Sequence, residues 1–524
     1  PTTALLPALA HTDRPPYNDA RKEVNPVKQS SRGWCRFAAI HLAIFVPAQA
    51  VFIGLFRLHF DSAVLNYYMH FLDPELLRTR LFESCFYLHI QPPLFNFLVG
   101  LGLKAFGEYA AQGFYAVYLL LAFGLYVALT SLQVRLGVGR YLALAISTAF
   151  MVSPPFLLYE HWLFYTLPCA LLLVASGVLL HEALQKGHGP AILSFFTMLM
   201  LLSYLRSLFH LVFVGLIYLG LCLVAKPYRK RFALWGLVPI LLVVALYAKN
   251  YALFGAFSTS TLMGRNLWVM TVGNMNSNLR YRLIQEGELS DISARARWNA
   301  LKYYPERYQG LQTYPNVAAL HTETKSNGAH NFNHIDHIVI SNQYLKDALH
   351  GILLDPKTFL KSLTVSTYAY FRAVYACSYQ NYQRLFPWVR CYERGPCLVV
   401  PLTGEGDTVL HRLADTTDVQ PALTLILGLP LLAFYLLWCT LRGTTAAGPV
   451  DGSNRIVMAY MAFAIAYVAA IGCAFDFWET ARYRFITDGF SVAAAGIFIQ
   501  QTLRPRLRNL RLRWQGLRRA DSTD

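Results

Sequence analysis

Residues 89–107, HIQPPLFNFLVGLGLKAFG, decide the fold. A His/Gln pair and a diproline run into an apolar segment, and whether that segment crosses a membrane sets the side on which every later loop lies. Each proline ring fixes φ and removes an amide donor, so the diproline cannot lie inside a regular helix but can open one at its first turn. The reading is a helix that begins near Pro92, with His89 and Gln91 held just outside it. From Pro92 to Gly107 the sixteen residues rise about 24 Å as a helix, short of a ~30 Å hydrocarbon core. The segment is therefore read as a half-inserted or interfacial helix, and the polar residues before it point to a site at a membrane surface.

Working outward, the chain has far more apolar sequence than one soluble core uses: 55% of its 524 residues are hydrophobic and 14% charged. This is the composition of an integral membrane protein with many spans. Ten apolar runs have crossing length, near residues 36–56, 110–134, 141–158, 163–184, 190–207, 208–225, 232–254, 420–441, 456–475 and 483–501. With the N-terminus inside, ten crossings leave Arg135/Arg140, Lys186, Lys226 to Arg231 and Arg442/Arg455 on the cytoplasmic side, provided that 92–107 is not a crossing. The same parity makes residues 358–376, with Lys361 and Arg372, a surface-lying or buried helix rather than a span.

The net charge of +17 admits two readings, nucleic-acid binding and membrane topology, and its distribution selects topology. Seven arginines (Arg504, Arg506, Arg508, Arg511, Arg513, Arg518, Arg519) follow the last apolar run, and Arg14, Arg21, Lys22, Lys28 and Arg32 precede the first. The first 33 residues lack the apolar core and cleavage site of a signal peptide, so the first span is expected to act as an uncleaved anchor. The expected organisation is a basic cytoplasmic tail (1–33), an N-terminal transmembrane module (34–254) with an outer loop at 57–109, an extracytoplasmic subdomain (255–419), C-terminal transmembrane helices (420–501) and an arginine-rich cytoplasmic tail (502–524). The subdomain holds 16 Lys/Arg against 13 Asp/Glu, a near-balance that suits a translocated region, and a helix is expected over 338–353. Cys391 and Cys397 flank a short polar turn within it and could form a disulfide in an oxidising compartment.

Charged residues at the outer ends of spans are costly near lipid and are more often functional than those on a solvated face. Asp61 follows the first span, with Asp73, Glu75 and Glu83 further along its loop; one such carboxylate could take the proton of an acceptor hydroxyl, and the bland alternative is pairing with Arg57, Arg78 and Arg80. Glu160, in SPPFLLYEHWLFYTLP, sits on a turn short enough to face the same side. Arg206 and His210, in YLRSLFH, could grip a lipid phosphate or merely snorkel to headgroups. Arg482 and Arg484 of ETARYRF run against the positive-inside trend, which implies an anionic partner: a substrate phosphate, or Asp476 and Glu479. His330, His334 and His337 with Asp336 match no tight zinc spacing.

The succession of Asp61, HIQPPLFNFLVGLGLKAFG, YEHWLFYTLP, YLRSLFH, KNYALFGAFSTSTLMGRNL and ETARYRFITDGF resembles the polytopic glycosyltransferases of the GT-C superfamily, in the branch related to dolichyl-phosphate-mannose protein mannosyltransferases and bacterial lipid A aminoarabinose transferases. The resemblance runs from Trp34 to Gln501, and the order of its short motifs carries it. It implies an all-α polytopic fold of about ten transmembrane helices with interfacial helices in the first outer loop. It also implies transfer of a sugar, with inversion, from a polyprenyl-phosphate donor to a protein, lipid or glycan hydroxyl on the extracytoplasmic face. The family's base maps onto Asp61, its second acid onto Glu160, its diproline segment onto Gln91, Pro92 and Pro93, and its phosphate-binding pair onto Arg482 and Arg484. His89, Arg206 and His210 join them as candidate substrate contacts. Where the family often shows two adjacent acids, Asp61 is followed by Ser62, which leaves Asp73 or Glu83 as alternative bases. The outer carboxylates could hold a divalent cation, Mg or Mn, or merely pair with arginine. A lipid or sugar-lipid transporter and an inactive accessory subunit are the competing classes, and no inverted repeat is visible to favour the first. A bacterial inner membrane suits the sequence better than the endoplasmic reticulum, since no retention signal is present.

Overall fold

The computed structural model describes residues 31–310, 317–399 and 421–507. Most of the two basic tails, including Arg14, Arg21, Lys22, Lys28 and the arginines from Arg508 onward, lies outside the described residues. Among the described residues the chain is mostly helical, and its one sheet is the two-stranded pair Thr444–Thr445 with Gly448–Pro449.

The helices that matter below are α1 (Ser31–Phe56), α2 (Leu94–Phe106), α3 (Ala110–Arg135), α4 (Arg140–Met151), α5 (Pro154–Glu160), α6 (Thr166–Lys186), α7 (Gly189–Leu205), α8 (Leu211–Val224), α9 (Arg229–Phe254), α10 (Met263–Met270), α11 (Asp336–Leu354), α12 (Pro356–Tyr370), α13 (Tyr379–Arg394), α14 (Leu423–Arg442), α15 (Gly452–Phe475) and α16 (Thr480–Phe498). Among the described residues six stretches are long and apolar enough to cross a membrane: α1 from Arg36, α2 with α3, α6, α9, α14 and α15. A seventh is gained if α4 and α5, bent by 65° at Val152–Ser153, count as one span. The chain is thus an integral membrane protein. The expected runs at 190–207 and 208–225 fold as α7 and α8, of 17 and 14 residues, shorter than a typical crossing. The run at 483–501 becomes α16, whose first half carries Arg482, Arg484 and Asp488.

The diproline acts as expected at its helix start: Pro93 caps α2, and Gln91 and Pro92 are buried outside it. At its far end the chain turns at Gly107, φ +55°, before α3 begins. The two legs then pack closely, since a Cβ at Gly102 would lie 2.3 Å from the Phe114 ring and one at Gly113 would lie 2.3 Å from Phe106. Helix α6 is the hub, packing on α3, α7, α15 and α16, with 61% of its apolar window buried against 17% for α1 and for α14. The described residues between α9 and α14 fold around α10, α11 and α12, and α11 matches the helix expected over 338–353. Ser341 Oγ donates to the Thr261 carbonyl at 2.5 Å, and a Cβ at Gly264 would collide with the Ser341 carbonyl, so α10 and α11 touch backbone to backbone. The segment read as a surface-lying or buried helix, 358–376, forms α12 and packs on α16 and α15. Cys391 is exposed and Cys397 buried beside Ala422, and both are free thiols.

Candidate functional site

The polar chemistry converges on one cavity of about 220 Å³, where the loop before α2, the turn before α6, the ends of α7 and α15, the start of α16 and the 295–298 segment meet. Three guanidiniums line it: Arg206, Arg297 and Arg482. Arg206 follows the last turn of α7 in extended backbone, and its guanidinium lies between the Tyr165 and Tyr483 rings, 4.6 and 4.2 Å from their centroids. Rings on both faces fix the plane of the cation and leave its edge free to donate. Its buried Nη1 has no protein partner.

Arg482 is fully buried over the Phe164 ring at 4.7 Å and ion-paired with Glu479, while its Nε and Nη1 lack partners. Glu479 Oε1 accepts hydrogen bonds from the hydroxyls of Tyr68 at 2.6 Å and Tyr375 at 3.1 Å. Burial pushes this carboxyl up, but Arg482, the Tyr68 hydroxyl, His70 and Arg206 outweigh it and hold it below the usual carboxylate range. Burial, reinforced by Arg482, holds the His70 imidazole down to about 3, so it is neutral at pH 7, and its Nδ1 is sealed without a partner. Gln91, also on the cavity wall, buries an unpartnered Oε1. Buried polar atoms without partners are rare in folded proteins. Among the described residues such atoms also occur elsewhere, on Gln133, His181 and Asn250 for example, but five of them, on His70, Gln91, Arg206 and Arg482, border this one hollow, where a ligand could meet them.

A second hollow of about 150 Å³ shares Arg206, Ser207, Ser260, Asn266 and Tyr483 with the first and continues past Leu208, His210, Met263, Ile471 and Phe475. It gives the guanidiniums an amphipathic approach between α8, α10 and α15.

The remaining expected residues fall into two groups. Asp61 stands one layer from the cavity: its N–H donates to His161 O at 2.8 Å and its carbonyl accepts from Leu163 N–H at 3.0 Å, beside the aromatic cluster of Trp162, Phe164 and Tyr68. Its carboxylate is half-buried, with Oδ1 accepting from Ala63 N–H at 3.1 Å. His210 lines the second hollow and meets the Tyr467 hydroxyl at 3.2 Å. Glu160 was expected to face outward with Asp61, yet its carboxylate is fully sealed, taking a hydrogen bond from Gln49 of α1 at 2.9 Å. His89 is a tie rather than a cavity residue. Its Nε2–H donates to the Asn333 carbonyl at 3.0 Å, which leaves Nδ1 to accept from Thr261 Oγ1 at 2.8 Å, while its N–H donates to Asn333 Oδ1. Arg484 points away from Arg482, gripping the carbonyls of Tyr370, Arg372 and Ala373 and pairing with Asp488.

The cavity does not suit a divalent cation. Its carboxylates are Glu479, committed to Arg482, and Asp476, which accepts from Tyr483 Oη at 2.6 Å and from the N–H groups of Trp478 and Glu479. Among the described residues no group of three or more His, Cys, Asp or Glu side chains could hold a metal ion, the stretch around His330 to His337 included. Asp73 is likewise engaged, by Ser326.

Arg297, Trp298, Tyr68, His70 and Tyr375 line the cavity without having been expected there. Arg297 and Trp298 lie in the RARW stretch among short 3-10 turns, where no periodicity marks a face; only the aromatic beside the arginine hinted at them. Comparison of the chain with protein-family models, with curated proteins and with solved structures returns no match.

Proposed function

We propose that this protein is a membrane glycosyltransferase that moves a sugar from a polyprenyl-phosphate-linked donor to a hydroxyl of a glycan, lipid or protein on the extracytoplasmic face, in the plasma membrane of a bacterium. The observation that carries this reading is the meeting of Arg206, Arg297 and Arg482 in a polar cavity beside long apolar helices, with donor atoms of Arg206 and Arg482 unpartnered. Such a place selects a ligand whose headgroup is anionic and whose tail stays in hydrocarbon. In this mechanism Arg206 and Arg482 hold the phosphate, and Glu479 with its two tyrosines fixes the aim of Arg482. Charge that develops on the departing phosphate then meets donors already in place. Asp61 takes the proton of the incoming hydroxyl, and a single displacement inverts the anomeric carbon. No step requires a metal.

The test is transfer of radiolabelled sugar from a panel of polyprenyl-phosphate donors in reconstituted membranes. Wild type should transfer; Asp61→Asn should lose at least 100-fold in rate while Arg206→Gln raises the donor concentration required. Absence of transfer with every donor would sink the reading. A lipid transporter is the second reading, favoured by the 65° break between α4 and α5 with the sealed Glu160 at its end. Donor-independent lipid flux that Glu160→Gln abolishes would promote it.

A further inference from the structure

The charges around the cavity do not balance. Behind its wall lies a fourth guanidinium, Arg265, fully buried. It donates to the Arg297 carbonyl and, from Nη2, to His337 Nδ1 at 2.7 Å, and it is ringed by Trp298, Tyr304, Phe332 and Tyr344. No carboxylate touches it, and Arg206 and Arg297 likewise have no carboxylate partner among the described residues. Three guanidiniums therefore line the cavity with two carboxylates, Asp476 and Glu479, and Arg265 behind the wall brings the surplus around it to two positive charges. Lys325 does not alter this, being offset by Asp73. An uncompensated buried charge is costly, so a surplus of this size calls for a ligand that cancels it.

Resting on the transferase reading, the two ends of the reaction differ in charge. The loaded carrier is a phosphodiester with one negative charge. During transfer the bond from the anomeric carbon to the phosphate oxygen breaks and its electron pair stays on that oxygen. The carbon bonds to the acceptor oxygen, whose proton passes to a carboxylate. The carrier is left as a phosphate monoester with close to two negative charges at neutral pH.

We propose that the cavity is matched to the spent carrier: it binds a lipid phosphate monoester, as its dianion, more tightly than the corresponding diester. Interactions that strengthen as the bond breaks accelerate the chemical step. The same match makes the spent carrier a product inhibitor and its release slow.

The measurement is calorimetric titration of the full chain in detergent with dodecyl phosphate, methyl dodecyl phosphate and inorganic phosphate, at pH 7.5 and 5.0. Over this interval His70, held down to about 3 by burial and Arg482, stays neutral, Glu479 stays ionised and the hydroxyls of Tyr68 and Tyr375 stay protonated, while Lys325, held down to about 8 by burial, becomes more fully protonated at pH 5.0. Any titration of Lys325 or His210 acts on both lipids, and the diester keeps one negative charge throughout, so the difference between the two lipids isolates the change in charge of the monoester. Dodecyl phosphate should bind at least tenfold tighter than the diester at pH 7.5, with the gap shrinking at pH 5.0 and shrinking again in Arg297→Gln. Equal or tighter binding of the diester at pH 7.5 overturns the proposal. Inorganic phosphate binding as tightly as dodecyl phosphate also overturns it, assigning the site to a free anion. Because the ligand series is run on wild type, the outcome does not depend on a variant folding. Monoester preference without sugar transfer would sink the transferase reading alone, and transfer without that preference would sink this proposal alone.

Discussion

Arg482 and Arg484 open the same helix, and both are buried, but the regions they enter are built on opposite plans. Around Arg484 each guanidinium nitrogen is engaged: Tyr370, Arg372 and Ala373 present carbonyls and Asp488 supplies the countercharge. Around Arg482, donors on two arginines, an imidazole nitrogen and an amide oxygen are buried without partners. A buried polar group that is satisfied holds the fold, whereas a cluster left unsatisfied is held by the fold for something else. On the proposed reading, Arg484 is a structural arginine and Arg482 a ligand-binding one.

The largest effect should come from breaking the satisfied side. Arg484→Ala leaves three carbonyls and Asp488 uncompensated, and a loss of about 3–5 kcal/mol is expected, read as a collapse of the melting transition in detergent. Arg206→Gln is the converse. Its melting temperature should stay near wild type, because the guanidinium spends no donor on the protein, while affinity for dodecyl phosphate falls about tenfold or more, near 1.4 kcal/mol. Equal loss of stability in the two variants would erase the distinction.

Two histidines sharpen it further. Burial holds both His89 and His70 down to about 3, below the ~6.5 of an unfolded chain. The unfolded state therefore binds more protons between these values, and stability should fall as pH drops below about 6.5, by roughly 1.4 kcal/mol per histidine at pH 5.5. Melting curves at pH 7.5 and 5.5 test this. Removing either titration should flatten the acid slope, but only His89→Gln, which cuts the two hydrogen bonds of the imidazole, should also lower stability at pH 7.5. The smallest change is expected from Glu160→Gln, an isosteric swap at a carboxylate with one bond to Gln49, within about 1 kcal/mol by the same melt.

What could be read from the residues follows from what leaves a local signature. Apolar runs and a diproline declare themselves by hydropathy and by ring geometry, so α1, α3, α6, α9, α14, α15 and the start of α2 fall where the sequence puts them. Span length was less legible, because α7 and α8 are shortened by the turn that frees Arg206 and His210. For the site, Arg206, Arg482 and Gln91 were legible as polar groups where lipid penalises them. The divergence of Arg482 and Arg484 was available in principle, since residues two apart on a helix lie on nearly opposite faces. Glu160 misled because a short turn was equated with exposure, when α5 folds under α1 and seals it. Arg297 and Trp298 were invisible because turns carry no period and their placement depends on Arg265, 32 residues away.

The tie at His89 also sets a schedule for making the protein. Its partners Thr261 and Asn333 are 172 and 244 residues further along the chain. At about 5–20 residues per second of synthesis, the ribosome needs roughly 12–50 s to deliver Asn333 after His89 has emerged. The 57–93 loop waits longer still for α16 and Arg482, so the cavity is among the last parts of the molecule to be completed. A newborn chain is inserted well before it is competent, and ligand can stabilise it only once nearly all of it has been made.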